Sequence, residues 1–527
     1  MFRSPFPDES VPAQSVFDFL FADLSPEDAA RPALIDGASG AETSYGALKS
    51  GAEALAGAFA TRGVGIGSVV ALHCPNVPAF AIVFHGILRS GATATTLNAL
   101  YGAEEIATQL TDSGATMLVT VSALSAASFA AAEKVGIPAE RVVVLDGADG
   151  HPSLRDLLSE GAQAPEVNFD PATHVAVLPY SSGTTGIAKG VQLSHTNLVA
   201  NVQQCNPVLD VTPADRVLAL LPFFHIYGMT VLLNLALRRR ATLVTMPRFD
   251  LPEFLRIIQD HRCSYVFIAP PVAVALAKHP LVDDYDLSSV RQVFSGAAPL
   301  DADLAAAVAT RLKTRVRQGY GLTEASPVTH VLPLDQGAIS TGSIGVTVPN
   351  TESRLVDAET GADIALPTSG RSAPGELWVR GPQVMLGYLN RPDATIDTID
   401  SDGWLHTGDV ASVGEHGEFF IVDRLKELIK YKGYQVAPAE LEALLLTHPE
   451  VTDAAVIGVA HETSGEIPMA FVVRQEGSTL DEEQVMSFVA EQVAPHKKVR
   501  RVAFIEAIPK SSSGKILRKD LRTQFGS

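Results

Sequence analysis

Short apolar runs alternate with segments of helical periodicity through the first half of the chain. The apolar runs have the length of buried strands, and the Ala- and Leu-rich segments between them have the length of helices. Strands that alternate with helices form parallel sheets that are covered on both faces. The sequence therefore predicts an α/β fold, with strands at 69–72, 92–97, 117–121 and 142–145, helices at 77–89 and 103–112, and the same rhythm again at 243–293.

The pattern changes between residues 343 and 424. Short segments separated by Gly, Pro and Asp turns replace the helical patterns there, which predicts a small β-rich subdomain without helices. Mixed helix and strand patterns return after residue 426. Residues 424–527 carry fourteen Lys and Arg and fourteen Asp and Glu, so the net charge of −19 belongs entirely to the preceding residues. This change in charge composition predicts a boundary between a domain at 1–425 and a second at 426–527.

Composition argues against several classes of protein. A net charge of −19 disfavours a nucleic acid partner, because phosphate backbones require a basic surface. Cys74, Cys205 and Cys263 lie far apart in sequence, which indicates neither a zinc site nor a disulfide framework and is typical of a reducing cytoplasm. The amino terminus lacks the apolar core of a signal peptide. We therefore expect a soluble, cytoplasmic protein.

One segment has the composition of a membrane span. Residues 217–237 contain no Asp, Glu, Lys or Arg and are followed by three arginines. Pro222, His225 and Gly228 interrupt the segment, and a histidine inside a bilayer is costly. We therefore expect a buried strand, a turn and a core helix at this place, and no membrane span.

The stretch YSSGTTGIAKG at 180–190 predicts a loop that binds phosphate. Apolar runs precede and follow it, so it is expected to leave a strand. Glycines let successive backbone N–H groups converge, the hydroxyls add donors, and Lys189 adds a positive charge. The alternative for such a composition is a flexible surface loop. A P-loop NTPase is disfavoured, because the spacing differs and Val191 stands where Ser or Thr would bind magnesium.

This loop is the first of eight collinear blocks that resemble the adenylate-forming enzymes, namely acyl-CoA synthetases, beetle luciferases and the adenylation domains of peptide synthetases. The later blocks are LPFFHIYG at 221–228, SGAAPL at 295–300, QGYGLTEASPV at 318–328, GYLNRP at 387–392, DGWLHTGDV at 402–410, VDRLKELIKYKGYQVAPAELE at 422–442 and PKSSSGKILR at 509–518. The FHIY and KELIKYKGYQVAPAELE stretches look most like 4-coumarate–CoA ligases. Ala188 departs from the usual proline of the family but leaves the donors of the loop intact.

The resemblance implies a large N-terminal domain of two doubly wound sheets with a small β-rich subdomain, followed by a small, mobile α+β C-terminal domain. It implies an ATP-dependent acid–CoA ligase that uses Mg²⁺. Such an enzyme converts a carboxylic acid and ATP to acyl-AMP and pyrophosphate, and then transfers the acyl group to the thiol of CoA. Because carboxylate and triphosphate repel each other, position and positive charge supply most of the catalysis.

By resemblance, several blocks contribute to an ATP site. Thr323 contacts the α-phosphate, and Glu324 holds magnesium that bridges phosphate oxygens, for which one carboxylate is enough. Tyr320 stacks on adenine. Asp409 accepts hydrogen bonds from the ribose hydroxyls, and Arg424 donates. The residues expected around ATP or AMP are Ser181, Ser182, Gly183, Thr184, Thr185, Gly186, Lys189, Ala297, Ala298, Pro299, Gln318, Gly319, Tyr320, Gly321, Thr323, Asp409, Arg424 and Lys515.

By resemblance, the catalytic residues also include one histidine and two lysines. His225 orients the carboxylate and gates the entry of the thiol. Lys515 bridges carboxylate and phosphate during adenylation, whereas Lys430 serves the second half-reaction. A hinge at Lys426 lets the C-terminal domain rotate and exchange one lysine for the other. The remaining residues expected near this face are Lys432 and Gly433, which contact CoA, and Gln435 beside them.

The acyl pocket, also by resemblance, is expected to be more apolar than in plant coumarate ligases. Those enzymes tend to carry asparagine near Thr230 and lysine near Phe294, groups that suit a phenolic hydroxyl. Threonine and phenylalanine instead favour cinnamate-like or medium-chain acids over strongly hydroxylated ones. The residues expected in the pocket are Tyr227, Thr230, Ile268, Phe294, Gly296, Ala297, Gly319, Gly321, Pro327 and Val328.

Other functions stay open at this point. The chain is also compatible with a medium-chain fatty acyl-CoA synthetase, or with an adenylating enzyme that loads a carrier protein in trans or emits light. A binding protein that kept the fold and lost the chemistry is disfavoured, because Lys515, Glu324, Thr323 and His225 are all present.

Overall fold

The computed structural model describes residues 1–181, 188–432, 434–461, 464–511 and 516–525, without the side chain of Gln435. Within these residues the strands form four sheets, two of them mainly parallel and two mainly antiparallel. The mainly parallel sheets and the first antiparallel sheet are built from residues before 425. The last sheet is built from residues after it.

The first mainly parallel sheet contains the strands predicted near the amino terminus. Its central strands run parallel, and Lys189–Ser194 reverses the direction by pairing antiparallel with its neighbours. In spatial order the strands are Gly387–Tyr388, Lys189–Ser194, Val175–Val177, Thr93–Thr96, Val69–His73, Met117–Thr120 and Val142–Val144, while Tyr180–Ser181 also pairs with Lys189–Ser194.

The second mainly parallel sheet contains the strands predicted between 243 and 293. Its two edges are antiparallel, and its centre is parallel. In spatial order the strands are Val346–Thr347, Val328–Val331, Arg315–Gly321, Gln292–Ser295, Tyr265–Ile268, Arg216–Ala219, Thr242–Thr245, Pro32–Asp36 and Glu42–Ser44.

Both faces of this second sheet are buried. Side chains on one face, among them Phe267 and Phe294, join a large apolar core that also includes residues of the first sheet. Side chains on the other face, such as Val266 and Val293, pack in a separate core with residues of the helices that connect the strands. Helices on both faces of a parallel sheet define the doubly wound arrangement.

The two antiparallel sheets follow in the chain. The first contains Phe2–Arg3, Glu352–Val356, Gly375–Arg380, Leu405–Val413 and Phe419–Arg424, and it corresponds to the predicted β-rich subdomain. The second contains Tyr434–Val436, Ile429–Tyr431, Gly465–Arg474 and Val451–His461, with Arg501–Phe504 added in parallel.

Helices connect and cover the sheets. The α-helices are Val16–Phe21, Pro26–Ala30, Tyr45–Thr61, Pro78–Arg89, Ala103–Ser113, Ser125–Val135, Leu154–Ser159, His195–Leu209, Leu235–Arg238, Leu251–His261, Pro270–Lys278, Ala302–Leu312, Pro392–Ile396, Pro438–Leu446, Glu482–Ala490 and Arg518–Phe525. Short 3-10 segments lie at Ser122–Leu124, Ala139–Arg141, Pro280–Asp284, Thr323–Ala325 and Pro495–Lys497, and a π-helix lies at Tyr227–Asn234.

The predicted strands and helices agree with the structure with one exception. The helix Pro392–Ile396 falls inside the region that was predicted to have none. Proline at the first position of a helix has its φ angle already set, and Asp393 complements the helix dipole in the first turn. A five-residue helix carries too little periodicity to be recognised from its sequence.

The apolar segment 217–237 forms a strand and a helix inside the protein, as predicted. The strand is Arg216–Ala219, and after a turn the chain continues as the π-helix Tyr227–Asn234 and the helix Leu235–Arg238. Among the described residues, no helix is both long enough and apolar enough to cross a membrane. The π-helical form was not predicted. Such segments are rare and frequently occur at functional sites.

Direct contacts join the last sheet and its helices to the rest of the molecule. Asp423 is buried, and its Oδ2 accepts a hydrogen bond from the backbone N–H of Ala439 at 2.9 Å. Val410 packs against Leu428 and Ala437. Burial raises the pKa of the Asp423 carboxyl. The chain passes from the β-rich subdomain to the last sheet between Arg424 and Ile429.

Candidate active site

The candidate phosphate loop connects the two strands of a hairpin. Ser181 pairs with Lys189, and Tyr180 pairs with Gly190, in antiparallel register. The loop therefore leaves one strand, as predicted, and returns directly into the next. The expected phosphate contacts that lie outside the described residues, and so stay predictions, are Ser182, Gly183, Thr184, Thr185 and Gly186.

Side chains from two other segments hold the base of this hairpin. The Tyr180 hydroxyl donates a hydrogen bond to Asp112 Oδ2 at 2.8 Å, and Arg391 Nη2 lies 3.1 Å from Asp112 Oδ1. The Tyr180 ring lies so close to Gly190 that a Cβ atom there would come within 3.1 Å of it. The described end of the loop is thus anchored in packed structure.

Lys189 and Glu324 both contact Tyr388. The Nζ atom of Lys189 is 4.5 Å from the centroid of the Tyr388 ring, and the Tyr388 hydroxyl donates a hydrogen bond to Glu324 Oε1 at 2.7 Å. Glu324 is only 8% exposed, and among the described residues no basic side chain forms an ion pair with it. A buried carboxylate with one hydroxyl donor still has acceptor positions for a hard cation, so Glu324 would suit Mg²⁺.

Tyr320, Asp409 and Arg424 meet although they come from three strands. The Tyr320 hydroxyl donates a hydrogen bond to Asp409 Oδ2 at 2.5 Å, and Arg424 Nε lies 3.2 Å from Asp409 Oδ1. Burial and the charge of Asp409 raise the pKa of Tyr320 well above its usual value, so the phenol keeps its proton. The residues predicted for adenine and ribose are therefore close together.

Gln318 supports the neighbouring loop with its side-chain amide. Its Nε2 donates hydrogen bonds to the backbone oxygens of Leu300 at 2.9 Å and Thr341 at 2.8 Å, and its Oε1 accepts one from Leu300 N at 3.0 Å. Both amide hydrogens are used within the protein, so the side chain supports this loop, and the expected contact between Gln318 and ATP stays a prediction. The loop that Gln318 holds carries Ala297, Ala298 and Pro299, and Ala297 adopts a φ of 71° in the left-handed region.

The segment that leads to His225 is fixed by a buried asparagine. Asn76 Nδ2 donates hydrogen bonds to the backbone oxygens of Ala219 and Leu221, both at 2.8 Å. Asn76 Oδ1 accepts a hydrogen bond from Phe223 N at 2.7 Å. These three bonds set the path of the backbone just before the histidine.

His225 itself is half-buried, and its tautomer follows from one hydrogen bond. Its Nδ1 accepts a hydrogen bond from the backbone N–H of Tyr227 at 3.2 Å. An imidazole nitrogen that accepts cannot carry the proton, so the neutral ring carries it on Nε2. The Nδ1 side of the His225 ring is therefore held by the backbone N–H of Tyr227.

The expected acyl residues meet where the parallel strands of the second sheet end. The Tyr227 ring lies over Gly296, where a Cβ atom would come within 2.7 Å of it. The Phe294 ring lies over Gly319 in the same way, at 2.9 Å. The side chains of Tyr227, Phe294 and Val328 belong to one apolar core. At the next turn of the chain, Pro327 packs against Gly321.

Two hydroxyls in this group are buried without a partner. Tyr227 Oη and Thr230 Oγ1 make no hydrogen bond to any described residue. Burial raises the pKa of Tyr227, so its hydroxyl keeps its proton. An unpaired buried hydroxyl is costly. The apolar character expected of the acyl pocket stays a prediction.

Ile268 does not join this group. Residues 267 and 268 point to opposite faces of the sheet, as successive strand residues do. The side chain of Phe267 lies on the face of Tyr227 and Phe294, whereas that of Ile268 packs in the core on the other face. Only the backbone of Ile268 approaches the group, through its carbonyl oxygen, which accepts from Gly296 N at 3.0 Å. The prediction that its side chain lines the pocket is therefore wrong.

The candidate lysines between residues 426 and 432 lie on the surface. Lys426, Lys430 and Lys432 are all exposed, and Lys430 lies on the strand Ile429–Tyr431. The expected residues that fall outside the described part of the chain are Gly433, the side chain of Gln435 and Lys515. The separate roles of Lys430 and Lys515 stay predictions.

The sequence matches two family models that together span most of the chain. Residues 24–389 match the model described as AMP-binding enzyme, and residues 440–515 match the AMP-binding enzyme C-terminal domain. The chain belongs to the AMP-binding enzyme family. The two matches lie on either side of residue 426, where the sequence predicts the domain boundary.

Curated relatives of this AMP-binding enzyme match it from end to end. 4-Coumarate–CoA ligase 3 of Oryza sativa subsp. japonica is 43% identical over all of this chain and 95% of its own length. 4-Coumarate–CoA ligase 1 of Solanum tuberosum is 42% identical over all of this chain and 97% of its own length. The expected relationship to adenylate-forming acid–CoA ligases is confirmed.

Solved structures of this family have the same architecture. ATP-bound MatB from Rhodopseudomonas palustris is 30% identical, covers 98% of this chain and 99% of its own, and superposes with a TM-score of 0.88. Apo MatB has the same identity and coverage but a TM-score of 0.77. The predicted α/β fold is thus confirmed, and this chain matches the ATP-bound arrangement of that relative better than the apo arrangement.

Two residues of this AMP-binding enzyme were not predicted to take part in the site. Tyr388 lies in the GYLNRP block, which is one of the blocks that resemble the family. No role for this tyrosine was predicted from the sequence. Asn76 lies in a stretch, HCPNVP, that carried no signal at all. Both act through contacts with residues at least 64 positions away, which sequence spacing does not reveal.

Proposed function

We propose that this protein adenylates an aryl-propenoic acid of the 4-coumarate class and transfers the acyl group to the thiol of CoA. The observation that carries the proposal is the assembly of Lys189, Glu324, Tyr320, Asp409 and Arg424, which come from four distant blocks. The full-length similarity to proteins named 4-coumarate–CoA ligases supports the acid and the thiol.

Adenylation joins two anions, so the site must supply positive charge and fixed positions. Lys189 would contact the β- and γ-phosphates, and Thr323 would contact the α-phosphate. Glu324 would hold Mg²⁺, which when bound neutralises negative charge on the phosphate oxygens. Lys515 would bridge the carboxylate and the α-phosphate. Pyrophosphate then leaves as the carboxylate oxygen bonds to the α-phosphorus.

His225 suits the positioning of the acid. Its Nδ1 accepts a hydrogen bond from Tyr227 N, so a neutral ring would carry the proton on Nε2. An Nε2–H donor binds a carboxylate oxygen without adding a full charge. Asn76 and its three hydrogen bonds to the preceding segment keep this donor in place.

The second half-reaction requires a different lysine. Lys430, Lys432 and Lys426 are exposed and lie on or beside the last sheet. We propose that rotation near Lys426 exchanges Lys515 for Lys430, with Lys432 and Gly433 toward CoA. The two TM-scores against MatB support this idea. The same relative superposes less well on this chain in its apo form than in its ATP-bound form, so its arrangement differs between the two forms.

The acid is proposed from the two unpaired hydroxyls. Tyr227 Oη and Thr230 Oγ1 are buried without partners among the described residues. A substrate hydroxyl that reached one of them would form a hydrogen bond worth roughly 1–3 kcal/mol, whereas cinnamate would leave both unpaired, as they are in the free protein. This argument revises the preference for unsubstituted cinnamate that the sequence indicated.

The acid is tested by the ratio of kcat/KM for 4-coumarate and cinnamate. We expect the wild-type protein to prefer 4-coumarate, and Tyr227→Phe to reduce that ratio by about tenfold, because specificity is a difference between two transition-state affinities. Thr230→Val, which removes the other hydroxyl with little change in volume, is the matched comparison. A ratio that stays constant in both variants would contradict the role of these hydroxyls.

The reaction is tested by pyrophosphate release across a panel of aryl and alkyl acids, with and without CoA. We expect release with aryl-propenoic acids, and formation of a thioester only when CoA is added. Strongest release with medium-chain alkyl acids would reject the proposed acid. Absence of release with every acid would reject the proposed reaction.

A further inference from the structure

The segment 385–388 lies between the two parts of the site that would handle the triphosphate. On one side, Gly387–Tyr388 pairs with Lys189–Ser194, the strand that follows the candidate phosphate loop. On the other side, the backbone N–H of Met385 donates a hydrogen bond to the backbone oxygen of Glu324 at 2.8 Å. The segment therefore joins a strand of the first sheet to the turn that carries the candidate magnesium ligand.

The side chain of Tyr388 makes the same connection. Its hydroxyl donates a hydrogen bond to Glu324 Oε1 at 2.7 Å, and its ring lies under the ammonium group of Lys189, 4.5 Å from Nζ to the ring centroid. Tyr388 and Glu324 are both 8% exposed, so water competes little for these contacts. Burial, together with the Glu324 charge, raises the pKa of Tyr388. The hydroxyl therefore keeps the proton that it donates.

The position of Tyr388 between opposite charges matters for the ligand. A direct ion pair between Lys189 and Glu324 would occupy the groups that the phosphates and the metal need. The aromatic face binds a cation, and the hydroxyl at the other end of the same ring binds an anion. One tyrosine thus holds both side chains and keeps them apart.

We propose that Tyr388 is a positioning residue that sets the separation of Lys189 and Glu324 for a magnesium-bound triphosphate. The inference rests on the proposed function, in which Lys189 contacts phosphate and Glu324 holds the metal. Tyr388 acts through these two side chains and moves no proton in the reaction.

The test is metal binding by full-length Tyr388→Phe. This change keeps the ring under Lys189 and removes the hydrogen bond to Glu324. Mn²⁺ is titrated in the presence of a non-hydrolysable ATP analogue and followed by electron paramagnetic resonance. We expect the Mn²⁺ concentration at half-saturation to rise about tenfold, because hydrogen bonds to charged groups are among the stronger ones. Binding of the analogue without metal should stay within about twofold of wild type.

Tyr45→Phe is the matched control. It removes a buried phenol whose hydroxyl donates to the backbone oxygen of Ala241 at 2.6 Å, outside the candidate site. We expect its Mn²⁺ half-saturation to stay within about twofold of wild type. Tyr388→Leu removes the ring as well, so it should also weaken binding of the metal-free analogue, through Lys189. If Tyr388→Phe does not fold, Mn²⁺ binding by Tyr388→Leu tests the same inference.

A double variant separates this inference from the proposed function. If Tyr388 acts through Glu324, adding Tyr388→Phe to Glu324→Gln should cause no further loss of Mn²⁺ binding. Three results would overturn the inference and leave the proposed function intact. They are wild-type Mn²⁺ binding in Tyr388→Phe, equal shifts in Tyr388→Phe and Tyr45→Phe, and fully additive losses in the double variant. Unchanged Mn²⁺ binding in Glu324→Gln would overturn the metal assignment, and this inference with it.

Discussion

Phe294 covers a buried arginine at the wall of the candidate acyl pocket. The guanidinium carbon of Arg317 lies 5.8 Å from the centroid of the Phe294 ring. Arg317 is 1% exposed, donates only to the backbone oxygens of Val208 and Leu332, and forms no ion pair among the described residues. Burial lowers its pKa. The Phe294 ring therefore has a second role beside the pocket, because it contacts a buried guanidinium that forms no ion pair among the described residues.

Phe294→Lys is expected to destabilise the protein more than Phe294→Leu does. The lysine would bring a second positive charge to a buried guanidinium, whereas leucine only reduces packing. We expect a difference of about 2–3 kcal/mol in the free energy of unfolding between the two variants. Chemical denaturation measures it. Repeating both changes in an Arg317→Met background should shrink the difference, and an equal difference in that background would contradict the charge argument.

At the scale of elements, apolar periodicity predicted several strands of both parallel sheets. The buried runs at Val69–His73 and Tyr265–Ile268 are examples, since a strand buried on both faces has few polar residues. Ile268 was placed in the pocket by resemblance, and a continuous apolar run does not show which face of the sheet each residue takes. The pairing of Gly387–Tyr388 with Lys189–Ser194 was not predicted either, since two residues carry no periodicity.

The functional residues also divide into those that the sequence indicated and those that it did not. Blocks that resemble the family indicated Tyr320, Asp409 and Arg424, and the structure brings them together. Asn76 was missed because its side chain acts only through hydrogen bonds to the backbone of residues 219–223, far along the chain. Side-chain to backbone contacts of this kind leave no pattern in the sequence of either partner.

Asn76→Asp is expected to slow adenylation by disturbing the segment before His225. An aspartate keeps the shape but cannot donate to the oxygens of Ala219 and Leu221, so two buried acceptors face a carboxylate. We expect a loss of about 2–4 kcal/mol of stability and a fall in kcat for pyrophosphate release with little change in the KM for ATP. Rapid-quench kinetics measure both constants.

Asn197→Asp is the matched control for that change. Asn197 is also buried and donates to two backbone oxygens, those of Pro382 at 2.8 Å and Val384 at 2.9 Å, but it does not contact the His225 segment. We expect a similar loss of stability with a smaller effect on kcat. Equal effects of the two changes on kcat would mean that Asn76 supports the fold and does not position His225.

At the scale of the whole molecule, the candidate site lies where several parts of the chain meet. The first sheet supplies Lys189, the second supplies Tyr320, and the β-rich subdomain supplies Asp409 and Arg424. The chain continues within a few residues of Arg424 into the last sheet, which carries Lys430. A rotation at this connection would change which lysine faces the ATP site without moving the other residues.

The central claim is that one site carries out two half-reactions with two different lysines. Single-turnover measurements of each half-reaction in Lys515→Ala and Lys430→Ala test it most directly. Lys515→Ala should lose formation of acyl-AMP by at least about a hundredfold and still convert supplied acyl-AMP and CoA to the thioester, because removal of one charged group that stabilises a transition state costs about 10²–10³ in rate. Lys430→Ala should show the reverse pattern. Equal slowing of both half-reactions in both variants would contradict the account.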